Sequence, residues 1–335
     1  MSDALAEAMP ARADRRRAPA GRPAGLWLAA AALVVVCALW LVLGLGRGWA
    51  FILQLRAEKL AGMLIVGASV SVATVLFQTV SRNRILTPQI MGFDALYMLG
   101  QVLLIASLGV VGYASLPAGP KFLAETVVMT AAALALFGTL LTRAGGGDVA
   151  RMILTGVILG VLFRSLGGLV QRAMDPNDFA MVQAASFASF SRIDPVVLAW
   201  AAPVAIAAMA AAQRLAGRLD VLALGRDPAV SLGLLHDRLM VAALSLTAVL
   251  VAVSTALVGP VAFLGLITAG LGRWLAGSAR HARLIPGAAL AGGVLVVGGQ
   301  FLFERVLGMA GTLSVVIEFA GGLVFLGLLL KGKVR

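Results

Sequence analysis

The feature that most limits what this chain can fold into is a succession of long apolar runs. Ten can be drawn, at about residues 26–46, 58–79, 93–112, 122–141, 152–170, 195–213, 239–257, 260–276, 285–303 and 313–330. Each approaches the ~20 apolar residues that an α-helix needs to cross the ~30 Å hydrocarbon core of a bilayer. The runs are continuous, as in 102–111 and 323–330, without the alternation of a transmembrane β-strand. An all-α membrane protein with about ten transmembrane helices is therefore expected. Of the 335 residues, 61% are hydrophobic and 13% charged. A soluble domain carries about 25% charged residues, so an ordinary soluble globular protein and a disordered chain are both excluded.

The breaks between runs carry turn and charge signals, among them Ser81-Arg82-Asn83-Arg84, Leu116-Pro117-Ala118-Gly119-Pro120 and Gly259-Pro260. An even number of spans puts both termini on one side. Of the 27 Lys and Arg residues, 19 fall on segments that share that side and eight on the other. Cationic loops favour the cytoplasm, so N- and C-termini are expected to be cytoplasmic. The same bias accounts for the net charge of +12 without a nucleic-acid partner. Residues 1–25, with Arg12, Arg15, Arg16, Arg17 and Arg22, read as a disordered basic cytoplasmic tail. Residues 26–335 read as one transmembrane domain. The first apolar run is too long for a signal-peptide core and is taken as a span.

Groups that carry chemistry are scarce. Cys37 is the single cysteine, which leaves no intrachain disulfide. His236 and His281 are too few for a histidine-based metal site, and both, lying among arginines, read as solvated. Gly327, Gly332 and Lys333 have the spacing of a phosphate-binding loop, but Val334 stands where the magnesium-binding Ser or Thr is needed. With no nucleophile–base pair either, the chain is expected to be no enzyme, and to bind no metal, cofactor or ATP itself.

Two connections are too long to be simple turns. One, 171–194, falls on the external side, and Asp175-Pro176-Asn177-Asp178 precedes a short helix expected over 179–190. The other, 215–238, falls on the cytoplasmic side and reads as two short helical pieces broken at Gly225 and Gly233. Asp227-Pro228 suits the start of the second piece.

Several segments resemble the permease subunits of bacterial ABC importers for ferric siderophores, haem and cobalamin, the FecCD/BtuC-like permeases. The resemblance runs from about residue 53 to residue 330. Arg56 and Lys59, ahead of Ile65-Val66-Gly67-Ala68, match two basic positions of the family, with Ala57-Glu58 in place of its Leu-Pro. Asn83, Leu86, Pro88 and Gly92 match a second motif, in which Arg84 replaces a proline. Leu224-Gly225-Arg226-Asp227 through Ser231-Leu232-Gly233 is similar to the family's coupling segment. The most specific match is Val258-Gly259-Pro260-Val261-Ala262-Phe263-Leu264-Gly265-Leu266-Ile267. Arg273 matches a later arginine of that motif, while Thr268-Ala269 replace its Pro-His.

The resemblance implies a type II importer permease in the bacterial cytoplasmic (inner) membrane. It implies a ferric siderophore as cargo, catecholate or mixed-ligand. Two separate ABC ATPase subunits would bind ATP and magnesium. A second permease, more often a different chain than an identical one, and a periplasmic or lipid-anchored binding protein would complete the assembly. Leu224, Gly225, Arg226, Asp227, Ser231, Leu232 and Gly233 would then meet the ATPase. Arg56, Lys59 and Arg305 would dock the binding protein, as charge pairs that speed encounter and fix register. Gly156, Gly160 and Arg164 would line the pathway. A cation inside a span costs at least about 2.5–3.5 kcal/mol on insertion scales, so Arg164 should face a cavity or a carboxylate such as Glu318 or Glu304. Glu318 and Asp94 themselves lie near span ends. Haem and cobalamin remain alternative cargoes. Ion-coupled secondary transport is the alternative mechanism, although that class places its acids at the membrane midplane.

Overall fold

A computed structural model describes residues 24–46, 48–143, 149–191, 193–308 and 313–330. The regular structure in these residues is helical: α1 (Ala24–Val42), α2 (Trp49–Ser81), a 3-10 turn (Pro88–Met91), α3 (Phe93–Ala114), α4 (Ala118–Arg143), α5 (Val149–Gln171) and α6 (Pro176–Ala185). There follow α7 (Pro195–Arg214), α8 (Ala216–Leu222), α9 (Arg226–Ser231), α10 (His236–Val258), α11 (Leu264–Ala276), α12 (His281–Phe301), which continues as a π-turn (Leu302–Val306), and α13 (Leu313–Leu330). Among the described residues, seven helices, namely α1, α2, α3, α5, α7, α10 and α12, are long and apolar enough to cross a membrane. The chain is a multi-pass membrane protein. Nearly all of the basic tail, 1–23, and the connection 144–148 lie outside the described residues.

The centre of the bundle is α2, flanked by α10 and α12. Its face from Met63 to Val80 is buried almost without interruption. Lipid tails are as apolar as leucine, so helices in a membrane associate through close packing rather than hydrophobic exclusion. Small residues supply that packing here: Gly67 of α2 and Gly292 of α12 bring their backbones together. From α10, Leu244, Leu250, Val251 and Val253 are fully enclosed. At the periphery, α1 turns Trp27, Leu28, Val34, Val35 and Val42 outward.

The run expected as a span over 260–276 has two parts. α11 itself has only 13 residues, about 20 Å at 1.5 Å per residue, so the run opens on a non-helical stretch. The stretch before it, 259–263, is unwound. Gly259 has φ 100°, Pro260 carries no N–H, and Phe263 sits at φ 58°. Non-helical backbone at membrane depth survives only where protein satisfies it. The amide of Ser189 donates to the Val258 carbonyl at 2.9 Å, and the Glu318 carboxylate accepts from the Ala262 N–H. Gly321 leaves room for Phe263, since a Cβ there would stand 2.3 Å from the Phe263 Cβ.

Two further boundaries differ from expectation. α2 starts at Trp49 instead of near residue 58, so Arg56 and Lys59 lie on the helix itself. The short helix expected over 179–190 is Pro176–Ala185, a few residues earlier. Asp175 sets its start: the carboxylate accepts from Asn177 N at 3.0 Å, and Pro176 occupies the first turn.

Candidate functional site

The connection between α7 and α10 forms two short helices, as its glycines suggested. α8 faces inward: Leu219 and Leu222 are buried in the core that also holds Val80, Leu284 and Ile285. α9 commits only Ala229 to the interior. Around it, Leu224, Val230, Leu232 and Leu235 are each 56–64% exposed. Gly225 separates the two helices at φ 105°, ψ 179°, a conformation essentially reserved for glycine. The Arg82 guanidinium closes over it; a Cβ on Gly225 would lie 2.9 Å from Arg82 Nη1. α9 ends in a Schellman motif. Gly233 N donates to Val230 O at 2.9 Å and Leu234 N to Ala229 O at 3.0 Å, with Gly233 at φ 79°. Asp227 complements the helix dipole in the first turn. Arg226 pairs with Asp237 across 3.3 Å, and Ser231 is exposed on the last turn. The result is a fixed, projecting helix with bare leucine and valine side chains, of the kind that marks a contact surface.

Arg56 is differently placed from the docking charge expected. It is 6% exposed. Its guanidinium donates to the carbonyls of Leu41, Leu43 and Gly44 at 2.9, 2.8 and 3.1 Å. These are among the carbonyls that the C-terminus of α1 leaves without helical partners. Trp40 Nε1 donates in return to Arg56 O at 3.1 Å. Arg56 thus caps α1 and presents no charge outward. Lys59 is half-buried on α2, and Arg305 is exposed beside Gly44.

Gly156 and Gly160 are buried and seat α5 against the turn that opens α3. A Cβ on either would lie 3.0 Å from a backbone Cα, that of Met91 or Gly92. The pair therefore forms a packing seam instead of a wall facing open space. The open side of α5 carries Leu154, Ile158, Leu162, Leu166 and Leu169, all exposed, and Arg164 is exposed as well. Neither carboxylate suggested for Arg164 is disposed as expected. Glu318 binds the Ala262 amide, and Glu304 accepts from Ser191 and Gln300 at 3.2 and 2.6 Å. Asp94, at the start of α3, is the carboxylate within electrostatic reach of Arg164.

Composition alone concealed two polar clusters. Between α3 and α4, Gln101 donates to Glu125 at 2.7 Å and accepts from the Tyr113 hydroxyl at 2.5 Å, while the Lys121 ammonium lies over the Tyr113 ring. At the α9 end of the bundle, His281 is buried, 4% exposed, contrary to the solvated reading. It meets Asp220 of α8 and Thr79 of α2. Isolated polar residues within apolar runs gave no spacing signal for either. His236 is half-buried, with Nδ1 3.1 Å from the Asp237 carboxylate. Among the described residues, no three His, Cys, Asp or Glu side chains come together as a metal site.

Comparison with known proteins places this architecture. The model of the FecCD transport family matches residues 27–331. The petrobactin import system permease protein YclO of Bacillus subtilis is 38% identical over 89% of this chain and 95% of its own length. The petrobactin import system permease protein FatC of Bacillus anthracis is 31% identical over 84% of this chain and 79% of its own. A solved structure described as an inward-facing metal-chelate type ABC transporter superposes with a TM-score of 0.78. At 24% identity, covering 92% of this chain and 99% of that one, it establishes a shared fold. The chain belongs to the FecCD transport family.

Proposed function

We propose that this chain is the transmembrane permease subunit of an ABC importer that carries a ferric siderophore, catecholate or mixed-ligand, across the bacterial inner membrane. The observation that carries the reading is the α8–α9 element. It is a rigid projection with exposed Leu224, Val230 and Leu232, in a chain 38% identical to a petrobactin import permease over nearly its full length. In this reading α9 seats in a groove on one of two ATPase subunits, which bind and hydrolyse ATP with magnesium. The bias of Lys and Arg supports cytoplasmic termini and puts α9 on the same side. Lys59 and Arg305, at the opposite end, meet acidic groups of a siderophore-binding protein. The apolar stripe of α5 faces a second permease, and the pathway runs between the two, with Arg164 attracting an anionic ferric complex.

The test is iron uptake by cells deleted for this chain, supplied with a panel of ferric siderophores that includes ferric petrobactin. Restoring the chain should restore uptake of one class, and a Gly225→Pro/Gly233→Pro double variant that still inserts should not. A deletion that leaves uptake of every ferric siderophore intact in a strain lacking other importers, while haem or cobalamin uptake is lost, overturns the assignment.

A further inference from the structure

The projecting α9 follows α8 in the chain and pairs with α10 through Arg226 and Asp237, while α8 carries a polar tie to α12 and α2. Asp220 on α8 accepts from the backbone N–H of His281 at 2.7 Å, at the first turn of α12. The same carboxylate oxygen lies 2.7 Å from His281 Nδ1. It thereby caps the positive end of α12 and fixes the ring with Nδ1–H toward the carboxylate. The other ring nitrogen, Nε2, lies 2.7 Å from Thr79 Oγ1, in the last turns of α2. One imidazole thus spans three helices: α8, α12 and α2. A threonine, histidine and aspartate in this order suggest a nucleophilic triad. Here, however, Thr79 is buried within α2 and its hydroxyl also bonds Val75 O at 2.8 Å, so it has no face for a substrate.

The helices joined in this way are packed tightly against one another. α2 and α12 cross with backbone against backbone at Gly67 and Gly292. Two contacts reinforce the same corner: Gln213 Nε2 donates to Ala282 O at 3.1 Å, and Arg273 of α11 donates to Gln78 of α2. The short helix α8, with Leu219 and Leu222 buried beside Leu284 and Ile285, sits against this pair. Resting on the reading of α9 as the ATPase contact, the geometry points to His281 as a positioning residue that couples the α8–α9 element to the α2–α12 pair through Asp220 and Thr79. Motion imposed on α9 reaches the bundle through this corner. Without the ring, α8 retains its apolar seat but loses its directional tie, and α9 moves without carrying the helices with it.

The experiment uses the complete importer with its ATPase and second permease, reconstituted with binding protein and ferric siderophore, and measures ATP hydrolysed per siderophore imported. His281→Ala keeps the backbone cap on Asp220 and the whole α9 surface, and removes only the ring. The ratio should rise about tenfold, the scale of losing a hydrogen bond to a charged group, with the ATPase rate and assembly retained. Thr79→Val, a milder change, should raise it by a smaller factor, and it serves if His281→Ala fails to assemble. His281→Gln, which keeps a donor, should recover part of the coupling. An unchanged ratio in His281→Ala, or in Thr79→Val where only that variant assembles, overturns the inference even if thermal stability falls, since the cluster is then a packing feature. Failure of the wild-type complex to import any ferric siderophore instead overturns the functional reading on which the inference rests.

Discussion

Replacing Gly292 by alanine should separate the two central helices and destabilise the bundle out of proportion to one methyl group. The added Cβ would stand 2.1 Å from Gly67 O and 2.3 Å from Ser71 Oγ. Ordinary contact begins near 3.4 Å, so α12 must retreat from α2 by about 1.3 Å. A gap of 0.5–1 Å already forfeits a quarter to a half of the dispersion energy between facing atoms. Val66, Val70 and Val296, all buried along this crossing, would lose contacts on one side. Over-packing against side chains costs about 1–3 kcal/mol. Here the obstacle is backbone, which cannot rotate aside, so about 3 kcal/mol is expected. Gly298 on the same helix is the control. Its nearest neighbour would be Val36 Cγ1 at 3.7 Å, and a mid-helix glycine-to-alanine change stabilises by about 0.5–1 kcal/mol. Unfolding of the purified protein in mixed micelles, titrated with SDS and followed by tryptophan fluorescence, measures both. Equal shifts in the two variants, or no shift in Gly292→Ala, would show that the α2–α12 crossing does not depend on this backbone contact.

Other consequences are equally direct. Gly225→Ala forces a side chain into a glycine-only conformation, so siderophore uptake should fall about tenfold in a protein that still inserts, a strain of roughly 1–3 kcal/mol; uptake assays with quantified membrane protein check this. Arg56→Ala should leave α1 carbonyls unpaired and lower stability by about 1–3 kcal/mol, without changing the salt dependence of binding-protein association. Lys59→Glu should do the reverse, slowing association and weakening its salt dependence while the melting temperature holds; surface plasmon resonance at varied salt separates the two. Glu318→Ala, which strips the Ala262 amide of its acceptor, should loosen the unwound stretch before α11, detected as faster hydrogen exchange at residues 259–263.

Where the sequence was legible, a physical pattern lay in the chain itself. Apolar runs located the helices because a bilayer demands about 20 apolar residues per crossing. Gly225 and Gly233 located the breaks around α9, because these positions need backbone conformations that other residues avoid. Within the run 260–276 the unwound turn was not legible, because apolar composition cannot distinguish a continuous helix from a short one behind such a turn. What keeps that turn open lies on another helix, at Glu318 and Gly321. Arg56 misled for a related reason: a basic residue near a span end suggests a surface charge, and only the fold brings the end of α1 to it. His281 likewise looked solvated among arginines until α8 and α2 closed around it.

If α9 is the ATPase contact we propose, transport through this chain depends on ATP hydrolysis. The most direct measurement is ferric siderophore uptake into proteoliposomes holding the chain with its ATPase and second permease, with ATP supplied or withheld on the ATPase side. Uptake should require ATP and loaded binding protein, persist when proton and sodium gradients are collapsed, and be lost in the Gly225→Pro/Gly233→Pro variant. Uptake that proceeds without ATP and follows an imposed ion gradient would make the chain a secondary transporter instead.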